Sequence, residues 1–333
     1  MAEIGCFAAW GVIMRILLTA ATGVVGNQLL PQLVGEGHTV IACTRDNTKA
    51  ESLRASGAQP SVFDVLHRQA TIEAVLRAQP DVVVHQMTAL AGVQSYRNLD
   101  RALAQTNLLR TTGLDHLLEG AQLARASRFI AHSYGGWSME RVGGPIKTEF
   151  DPLDTHVPSS MAKSLAAIRH LESSVPAARG LTGIVLRCGS FYGPGTGFAR
   201  DGSMINLIMK RALPLIGSGA GVWSFVHVAD AALATRNAMT HGAAGIYNIA
   251  DDEPSAVADW LPALATAFGA RPPLHIPTWL GRLVAGESTV MQMTTTRGLA
   301  NAKAKENLGW FPTRSTWRKG FVEDVKAVAQ APV

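Results

Sequence analysis

The stretch MRILLTAATGVVG, residues 14–26, decides how this chain of 333 residues folds. Its first part is an apolar run of the kind that forms a buried parallel strand, and a glycine turn and a helical pattern follow. Strand, turn and helix in this order aim backbone N–H groups and a helix N-terminus at one point, an arrangement that binds a pyrophosphate. The residues expected to contact the phosphates are Thr19, Thr22, Gly23, Val24, Val25 and Gly26.

The same alternation of short apolar runs and helical segments continues along the chain. Strands are predicted at residues 15–19, 39–43, 60–63, 81–85, 128–132 and 183–187, with helices near 24–35, 47–57, 67–78, 100–124 and 159–176. This alternation predicts an α/β fold with a Rossmann-type doubly wound parallel sheet over residues 14–187.

From residue 188 the pattern changes, because glycine and proline become frequent and the strands become short. This predicts a smaller C-terminal substrate lobe over residues 188–333, interleaved with the sheet near 225–250. A ligand cleft is expected between lobe and sheet, at the carboxyl ends of the strands. Residues 1–13 are expected to be an N-terminal extension, since they precede the first strand and lack the pattern of a signal peptide.

The composition excludes several classes of protein. With 47% hydrophobic and 17% charged residues the chain buries enough surface to fold, which excludes disorder. The net charge of +5 comes from scattered basic residues, which argues against nucleic-acid binding. Cys6, Cys43 and Cys188 have no zinc or disulfide spacing, so we expect a cytoplasmic protein with no metal site. The apolar start of the chain contains Arg15 and leads into a glycine turn, so we expect no membrane segment.

Residues 19–26 resemble the Thr-Gly-x-x-Gly-x-x-Gly fingerprint of extended short-chain dehydrogenases/reductases, with Ala20 in place of the first glycine. The resemblance continues over roughly residues 14–325 through further motifs in the family's order: Asp64-Val65, residues 80–85, Asn107, residues 225–230 and residues 247–249. It implies a nicotinamide cofactor and contacts of that cofactor with Asp64, Val65, Gln86 and Met87.

The end of the second strand predicts which nicotinamide cofactor binds. An NAD enzyme needs a carboxylate there for the ribose 2′-hydroxyl, whereas a 2′-phosphate favours an arginine. The acid position is Thr44, and Arg45 follows, which predicts NADP(H). Asp46 remains an alternative as the ribose acid, with Arg45 as an ordinary surface charge.

The catalytic pair of the family is incomplete in this chain. The resemblance implies a Tyr-x-x-x-Lys pair on one helix face, and the chain has Lys163 but Ser159 at the tyrosine position. Lys163 is expected to hold the nicotinamide ribose. Ser133 or Tyr134 is expected to orient a substrate carbonyl, and Tyr134 is also a candidate for the missing proton donor or for a residue that only lines the pocket. His132 is interpreted as a packed strand histidine.

The residues that hold a nucleotide-sugar diphosphate in this family are also replaced. Ser190 occupies the place of an asparagine and Trp223 that of an arginine, so a planar ligand that stacks becomes the favoured substrate. Further substrate contacts are expected from Ser95, Tyr96 and Tyr192. The alternative for Trp223 is packing within the lobe, and that for Tyr96 is a half-buried surface position.

The missing tyrosine makes the chain similar to the tyrosine-less ketoreductases of angucyclinone biosynthesis. The 22 Arg against 8 Lys indicate a high-GC genome, in which such antibiotic pathways are common. The resemblance implies an NADPH-dependent reduction of a ketone on a planar aromatic polyketide, by a monomer or homodimer. The alternatives are a sugar-nucleotide epimerase or dehydratase and a non-catalytic NADP(H)-binding sensor.

Overall fold

A computed structural model describes residues 12–90 and 97–329, with side chains up to residue 324. Of the predicted N-terminal extension, residues 1–11 lie outside this range, and Val12 and Ile13 are exposed ahead of the first strand.

The strands fall into one large sheet and several pairs of two or three residues. In chain order they are β1 (Arg15–Thr19), β2 (Thr39–Thr44), β3 (Gln59–Val62), β4 (Val82–His85), β5 (Arg128–Tyr134), β6 (Ile146–Lys147), β7 (Thr182–Cys188), β8 (Ser190–Tyr192), β9 (Leu215–Ile216), β10 (Val222–Trp223), β11 (Phe225–His227), β12 (Gly245–Ile249), β13 (Ser255–Ala256), β14 (His275–Ile276) and β15 (Gly298–Leu299).

The large sheet has seven strands in the order β12-β7-β5-β4-β1-β2-β3, and every pair in it is parallel. The predicted strands are confirmed, each within about two residues of its expected bounds. The chain leaves β1 toward one edge of the sheet and later returns to β4 on the other side of β1. This reversal makes a crevice at the carboxyl ends of β1 and β4, where ligands bind in open α/β sheets.

Helices cover both faces of the sheet and build the C-terminal region. They are α1 (Gly26–Gly35), α2 (Ala50–Ala55), α3 (Arg68–Ala78), α4 (Leu99–Ala102), α5 (Ala104–Leu108), α6 (Leu114–Leu123), α7 (Ala162–Ser174), α8 (Ser203–Met209), α9 (Val228–Ala238), α10 (Val257–Ala267), α11 (Thr278–Ala285), α12 (Glu287–Thr294), α13 (Ala302–Leu308) and α14 (Trp317–Ala329). The architecture is therefore a Rossmann-like α/β fold.

The helix predicted at 100–124 is divided in the structure. It breaks at Leu103, and a π-helical turn, Leu109–Gly113, joins α5 to α6. Such turns carry one extra residue per turn, and they are frequent at functional sites.

Apolar side chains form separate cores on the two faces of the sheet and a third core in the C-terminal region. Ile16 and Leu18 of β1 face one sheet core, whereas Leu17 faces the other, as the alternation along a strand requires. The third core is rich in aromatic rings, among them Trp260, Phe225 and Phe321. It packs residues from 192 onward, the part of the chain that was predicted to form the lobe.

Candidate functional site

The turn between β1 and α1 has the geometry of an anion site. Helix α1 begins at Gly26 without a side-chain cap at Val25, and among the described residues no acceptor takes the backbone N–H groups of Val24, Val25 or Gly26. Free N–H groups at a helix N-terminus attract a negatively charged group. Thr22 is exposed at the same turn, on the side open to solvent.

Close packing explains why this turn needs glycine. A Cβ on Gly26 would lie 2.3 Å from the carbonyl oxygen of Ala20, and one on Gly23 would lie 3.1 Å from the same atom. Ala20, in place of the family's first glycine, has a φ of 50°, in the left-handed region that favours glycine. Ala20 therefore adopts the backbone conformation of the glycine that it replaces, although it has a side chain.

Thr19 joins the two strands that flank the crevice. Its buried hydroxyl donates to the Val84 carbonyl at 3.0 Å and accepts from the Gln86 backbone N–H at 3.2 Å. The predicted phosphate contact therefore acts in this structure as a link between β1 and β4. It sets the width of the crevice into which the cofactor was predicted to bind.

Gln86 follows β4 at the crevice and is buried, at 9% exposure. Among the described residues neither its side-chain oxygen nor its nitrogen has a hydrogen-bond partner. A buried amide without partners is costly, and a ligand that supplies a donor and an acceptor removes that cost. Met87 follows it and is half-buried beside the sheet core. The orphaned amide and the open N–H groups together fit a nicotinamide dinucleotide.

The two residues predicted as alternative ribose contacts, Arg45 and Asp46, follow the end of β2. The Asp46 carboxylate accepts from the Thr48 hydroxyl at 2.6 Å and from the Thr48 backbone N–H at 3.0 Å. These bonds, the side-chain bond foremost, hold the pKa of Asp46 below its usual value. Thr44 accepts from the Asp46 backbone N–H at 3.1 Å, while Arg45 is exposed and forms no ion pair within the described chain.

Asp64 and Val65 form a turn after β3. One Asp64 carboxylate oxygen accepts from the Leu66 backbone N–H at 3.0 Å, and Val65 is buried in the sheet core. Asp64 is half-buried. A contact of these residues with an adenine stays a prediction.

Lys163 lies at the start of α7 with an exposed side chain. Asp100 of α4 holds this helix start, since its carboxylate accepts from the backbone N–H groups of Lys163 at 2.9 Å and Ser164 at 2.7 Å. Ser159, at the tyrosine position, is exposed in the 3-10 turn Ser159–Met161 before α7. Sequence reasoning missed Asp100, because the contact spans more than 60 residues and no local pattern marks it.

Ser133 belongs to a buried polar network rather than to an open cleft. Its hydroxyl donates to Glu172 at 2.7 Å, and Arg187 donates to both oxygens of the same carboxylate. Ser133, Glu172 and Arg187 are each at most 5% exposed. The Ser133 hydroxyl is thus bonded within the protein, and a contact of Ser133 or Tyr134 with a substrate carbonyl stays a prediction.

Arg110 lies in the π-helical turn and is buried beside this network. Burial lowers the pKa of its guanidinium to about 10, and the neighbouring charges of Glu172 and the Tyr134 phenol oppose that change. Arg110 stays protonated at neutral pH, so its positive charge acts on the Tyr134 phenol and on Glu172. Sequence reasoning missed it, since the π-helical turn that brings it here was predicted as ordinary helix.

Tyr134 ends β5 and is partly buried. Its phenol oxygen lies 3.4 Å from the Ser190 hydroxyl, a long hydrogen bond. Ser190, one of the positions at which this chain departs from the family's motifs, therefore lies beside the candidate site residue Tyr134. Neither a phenol nor a small hydroxyl is itself a strong donor for a diphosphate.

Two of the residues predicted to contact substrate, Tyr192 and Trp223, have side chains that are packed in the C-terminal core. Tyr192 is fully buried, stacked on Phe321 at 4.5 Å, and burial raises the pKa of its phenol. Trp223 is 9% exposed, with its ring 5.1 Å from that of Trp260 and its indole N–H donating to the Gln292 carbonyl. The alternative for Trp223, packing within the lobe, is the one that the structure supports.

The other predicted substrate contacts, Ser95 and Tyr96, lie outside the described residues. Arg97, which follows them, donates to the Leu283 carbonyl and accepts through its own carbonyl from Ser288. His132, interpreted as a packed strand histidine, is bonded to Thr235 at 2.8 Å, and burial lowers its pKa to about 4.

Comparison with known proteins identifies the family of this chain. The model of the NAD dependent epimerase/dehydratase family matches residues 16–250. The chain belongs to this family. It is 42% identical to a 3-diazoavenalumate denitrifying reductase of a Streptomyces species, over 92% of this chain and 99% of that one. It is 27% identical to a 4-hydroxy-2-methyl-3-oxo-4-farnesyl-3,4-dihydroquinoline-1-oxide ketoreductase of Stigmatella aurantiaca, over 83% of this chain and 80% of that one.

Solved structures of the epimerase/dehydratase family have the same fold. A dTDP-glucose 4,6-dehydratase of Streptomyces venezuelae with NAD and TYD bound superimposes with a TM-score of 0.73 at 19% identity, covering 95% of this chain and 97% of that one. UDP-glucose 4-epimerase of Thermotoga maritima gives 0.71 at 23% identity, covering 95% and 99%.

As a member of the epimerase/dehydratase family the chain is a nicotinamide-dependent enzyme of the oxidoreductase class. The family match includes the β1–α1 turn and the strands that form the crevice. None of the described helices combines the length and the apolar character needed to cross a membrane.

Proposed function

We propose that this enzyme is an NADPH-dependent reductase of a planar aromatic molecule, and that the group it reduces is an aromatic diazo group, which leaves as N2. The observation that carries the proposal is Ser159, an exposed serine at the position where the family's proton-donating tyrosine is expected. The relative with 42% identity supports the diazo group, because its name states that it denitrifies a diazo compound.

The chemistry of a diazo group explains why a tyrosine can be absent. Reduction of a ketone leaves an alkoxide, which must receive a proton from a positioned acid. In its protonated, diazonium form the aromatic substrate accepts one hydride, forms a C–H bond and breaks its C–N bond to release N2. This reaction forms no alkoxide that must be protonated. A serine in place of the tyrosine therefore does not slow it.

The chain's own residues bind and orient the reactants. The N–H groups at the start of α1 would hold the pyrophosphate, the Gln86 amide would hold the nicotinamide end and Lys163 the ribose. NADPH bound there supplies the hydride. Val24 and Met87, which are partly buried against the two sheet cores, add apolar surface next to these polar groups.

The proposal of NADPH rather than NADH rests on Arg45. The Asp46 carboxylate is occupied by Thr48, whereas the Arg45 guanidinium is exposed at the end of β2. A guanidinium binds a phosphate through charge-assisted hydrogen bonds, and a carboxylate already bonded elsewhere offers little to a ribose hydroxyl.

Arg45→Ala is expected to weaken NADPH binding by about 30-fold, because a charge-assisted hydrogen bond to phosphate contributes roughly 2 kcal/mol. The affinity for NADH should stay within about twofold, since NADH has no 2′-phosphate. Fluorescence titration of both cofactors measures this, with Arg54→Ala, an exposed arginine of the neighbouring helix α2, as the matched control. An equal loss for NADPH and NADH would show that Arg45 supports the fold and not the phosphate.

A ketone on a planar aromatic molecule is the second candidate substrate, as the resemblance to tyrosine-less ketoreductases implies. Tyr134 favours it, because its phenol is partly exposed at the strand end and lies beside the buried cation of Arg110. The ketoreductase relative, named for a 3-oxo-quinoline oxide, supports it as well. In that case Tyr134 would donate the proton.

The test of the proposed function is a product analysis. Purified enzyme is mixed with NADPH and either 3-diazoavenalumate or a planar aromatic ketone, and NADPH loss, N2 release and the aromatic product are measured. We expect one N2 released for each NADPH oxidised. NADPH that binds but is oxidised by neither substrate would favour the non-catalytic sensor.

A further inference from the structure

Beside Ser159 lies an open pocket that the reaction as described so far does not use. Its volume is about 390 Å³, and it is lined by Arg141, His156, Val157, Pro158, Ser159, Ser160 and Glu287. Most of these residues are polar. The pocket therefore offers donors to a polar group of a ligand rather than a surface for stacking.

The pocket adjoins the site of hydride transfer proposed above. Val157, one of its lining residues, packs in the same apolar cluster as Tyr134 and Trp137. Ser159 lies four residues before Lys163, at the start of α7. A tyrosine at position 159 would add a phenol ring at the wall of this pocket, so its replacement by serine leaves room there.

Arg141 is held in place by its neighbours. Its Nε donates to the Asp154 carboxylate at 2.7 Å and its Nη2 donates to the His156 carbonyl at 2.6 Å. Asp154 is buried, and its other oxygen accepts from the His156 backbone N–H at 2.9 Å. Within the described chain no acceptor takes the Arg141 Nη1, and the side chain is 31% exposed. The guanidinium is thus oriented before a ligand arrives, which lowers the entropy cost of binding.

We infer that this pocket binds the carboxylate of an aromatic acid, with the Arg141 Nη1 and the Ser159 and Ser160 hydroxyls as donors. The inference rests on the proposed function, because it names the substrate of that same site as an acid. The name of the 42% identical relative also gives its substrate as an anion, 3-diazoavenalumate.

The charges of the pocket suit one negative group and not two. Arg141 supplies the positive charge of the pocket, and two of its five N–H donors are already used by Asp154 and His156. Glu287 at the rim is exposed and lies 3.6 Å from Arg282, so its charge is partly balanced there. The Glu287 carboxylate would repel a diphosphate, and the pocket has too few donors to balance the diphosphate charge. A carboxylate needs only two or three hydrogen-bond donors.

The experiment compares the binding of 4-hydroxycinnamate and 4-hydroxycinnamamide to the enzyme with NADP+, by calorimetry. The wild type should bind the acid about tenfold more tightly than the amide, since a hydrogen bond to a charged group contributes roughly 1.5 kcal/mol or more. Arg141→Gln should remove this preference and change the affinity for the amide by less than about twofold. Arg169→Gln is the matched control, because Arg169 donates to the Asp154 carbonyl and does not line the pocket.

Arg141→Gln leaves the buried Asp154 carboxylate without its ion pair, and this variant could unfold. In that case Ser160→Ala tests the inference instead. It should lower the acid-to-amide preference by about threefold with an unchanged melting temperature. Equal affinity of the wild type for acid and amide, or an unchanged preference in Ser160→Ala, would overturn the inference. Because the assay needs no turnover, its failure is distinct from a failure of the diazo reaction, which the product analysis reports separately.

Discussion

Replacing Gly26 by alanine is expected to abolish cofactor binding and to lower the free energy of unfolding by about 3 kcal/mol. The added Cβ would lie 2.3 Å from the Ala20 carbonyl oxygen and 2.5 Å from that of Ala21. These are backbone atoms of the turn, so no side-chain rotation relieves the contact. The turn must open instead, which separates the N–H groups of Val24 and Val25 from the position of the pyrophosphate.

Gly35→Ala, at the other end of the same helix, is the control for this substitution. No atom lies within 4 Å of a Cβ added at Gly35, and alanine is a better helix former than glycine by about 1 kcal/mol. Chemical denaturation and NADPH titration of both variants measure the effects. If Gly26→Ala were as stable as Gly35→Ala and still bound NADPH, the close packing of this turn would be refuted.

Glu172→Gln is expected to lower the free energy of unfolding by about 3–5 kcal/mol, because it leaves the buried Arg187 guanidinium without its counter-charge. Arg187 and Glu172 are 2% and 3% exposed at their side chains. The carboxylate also accepts from Ser133 and lies near Arg110, so one substitution disturbs several buried donors. The nearby end of β5, which carries Tyr134, should become less ordered.

The matched control is Glu119→Gln, the same substitution in an exposed ion pair with Arg68. Its partners are 59% and 35% exposed, and such surface pairs contribute less than about 1 kcal/mol. Urea denaturation of both variants gives the comparison. Equal losses of stability in the two variants would show that the buried network does not hold the strand end in place.

The features that local sequence encodes were predictable. The apolar runs of β1 and β4 are typical of buried strands, and the turn at Gly26 was predicted from the glycine spacing before a helix. The exposed Arg45 follows from its place after β2. These inferences need only neighbours in sequence, which explains why the strands were confirmed within about two residues.

The direction of a side chain in the C-terminal region was not predictable. Tyr192 and Trp223 stand at positions that face substrate in the family's motifs, but here they complete an aromatic core with Phe321 and Trp260. Which side of a short strand faces that core depends on residues more than 30 positions away. A single sequence does not show these contacts, so it does not show which way the two side chains point.

The polar contacts that fix the site were missed for the same reason. Asp100 caps α7 across more than 60 residues, and Glu172 joins β5 to β7 through Ser133 and Arg187. Each is an ordinary acidic residue in its local sequence. Their pairing depends on the order of strands in the sheet, which only the assembled fold establishes.

The most direct test of the central claim is the rate of the Tyr134→Phe variant with NADPH and 3-diazoavenalumate. Tyr134 ends β5, its phenol is hydrogen-bonded to the Ser190 hydroxyl, and the charge of Arg110 acts on it. If hydride transfer with loss of N2 needs no acid on the enzyme, kcat/KM should stay within about threefold of the wild type. A loss of more than about 100-fold, the size expected for removal of a general acid, would contradict the account.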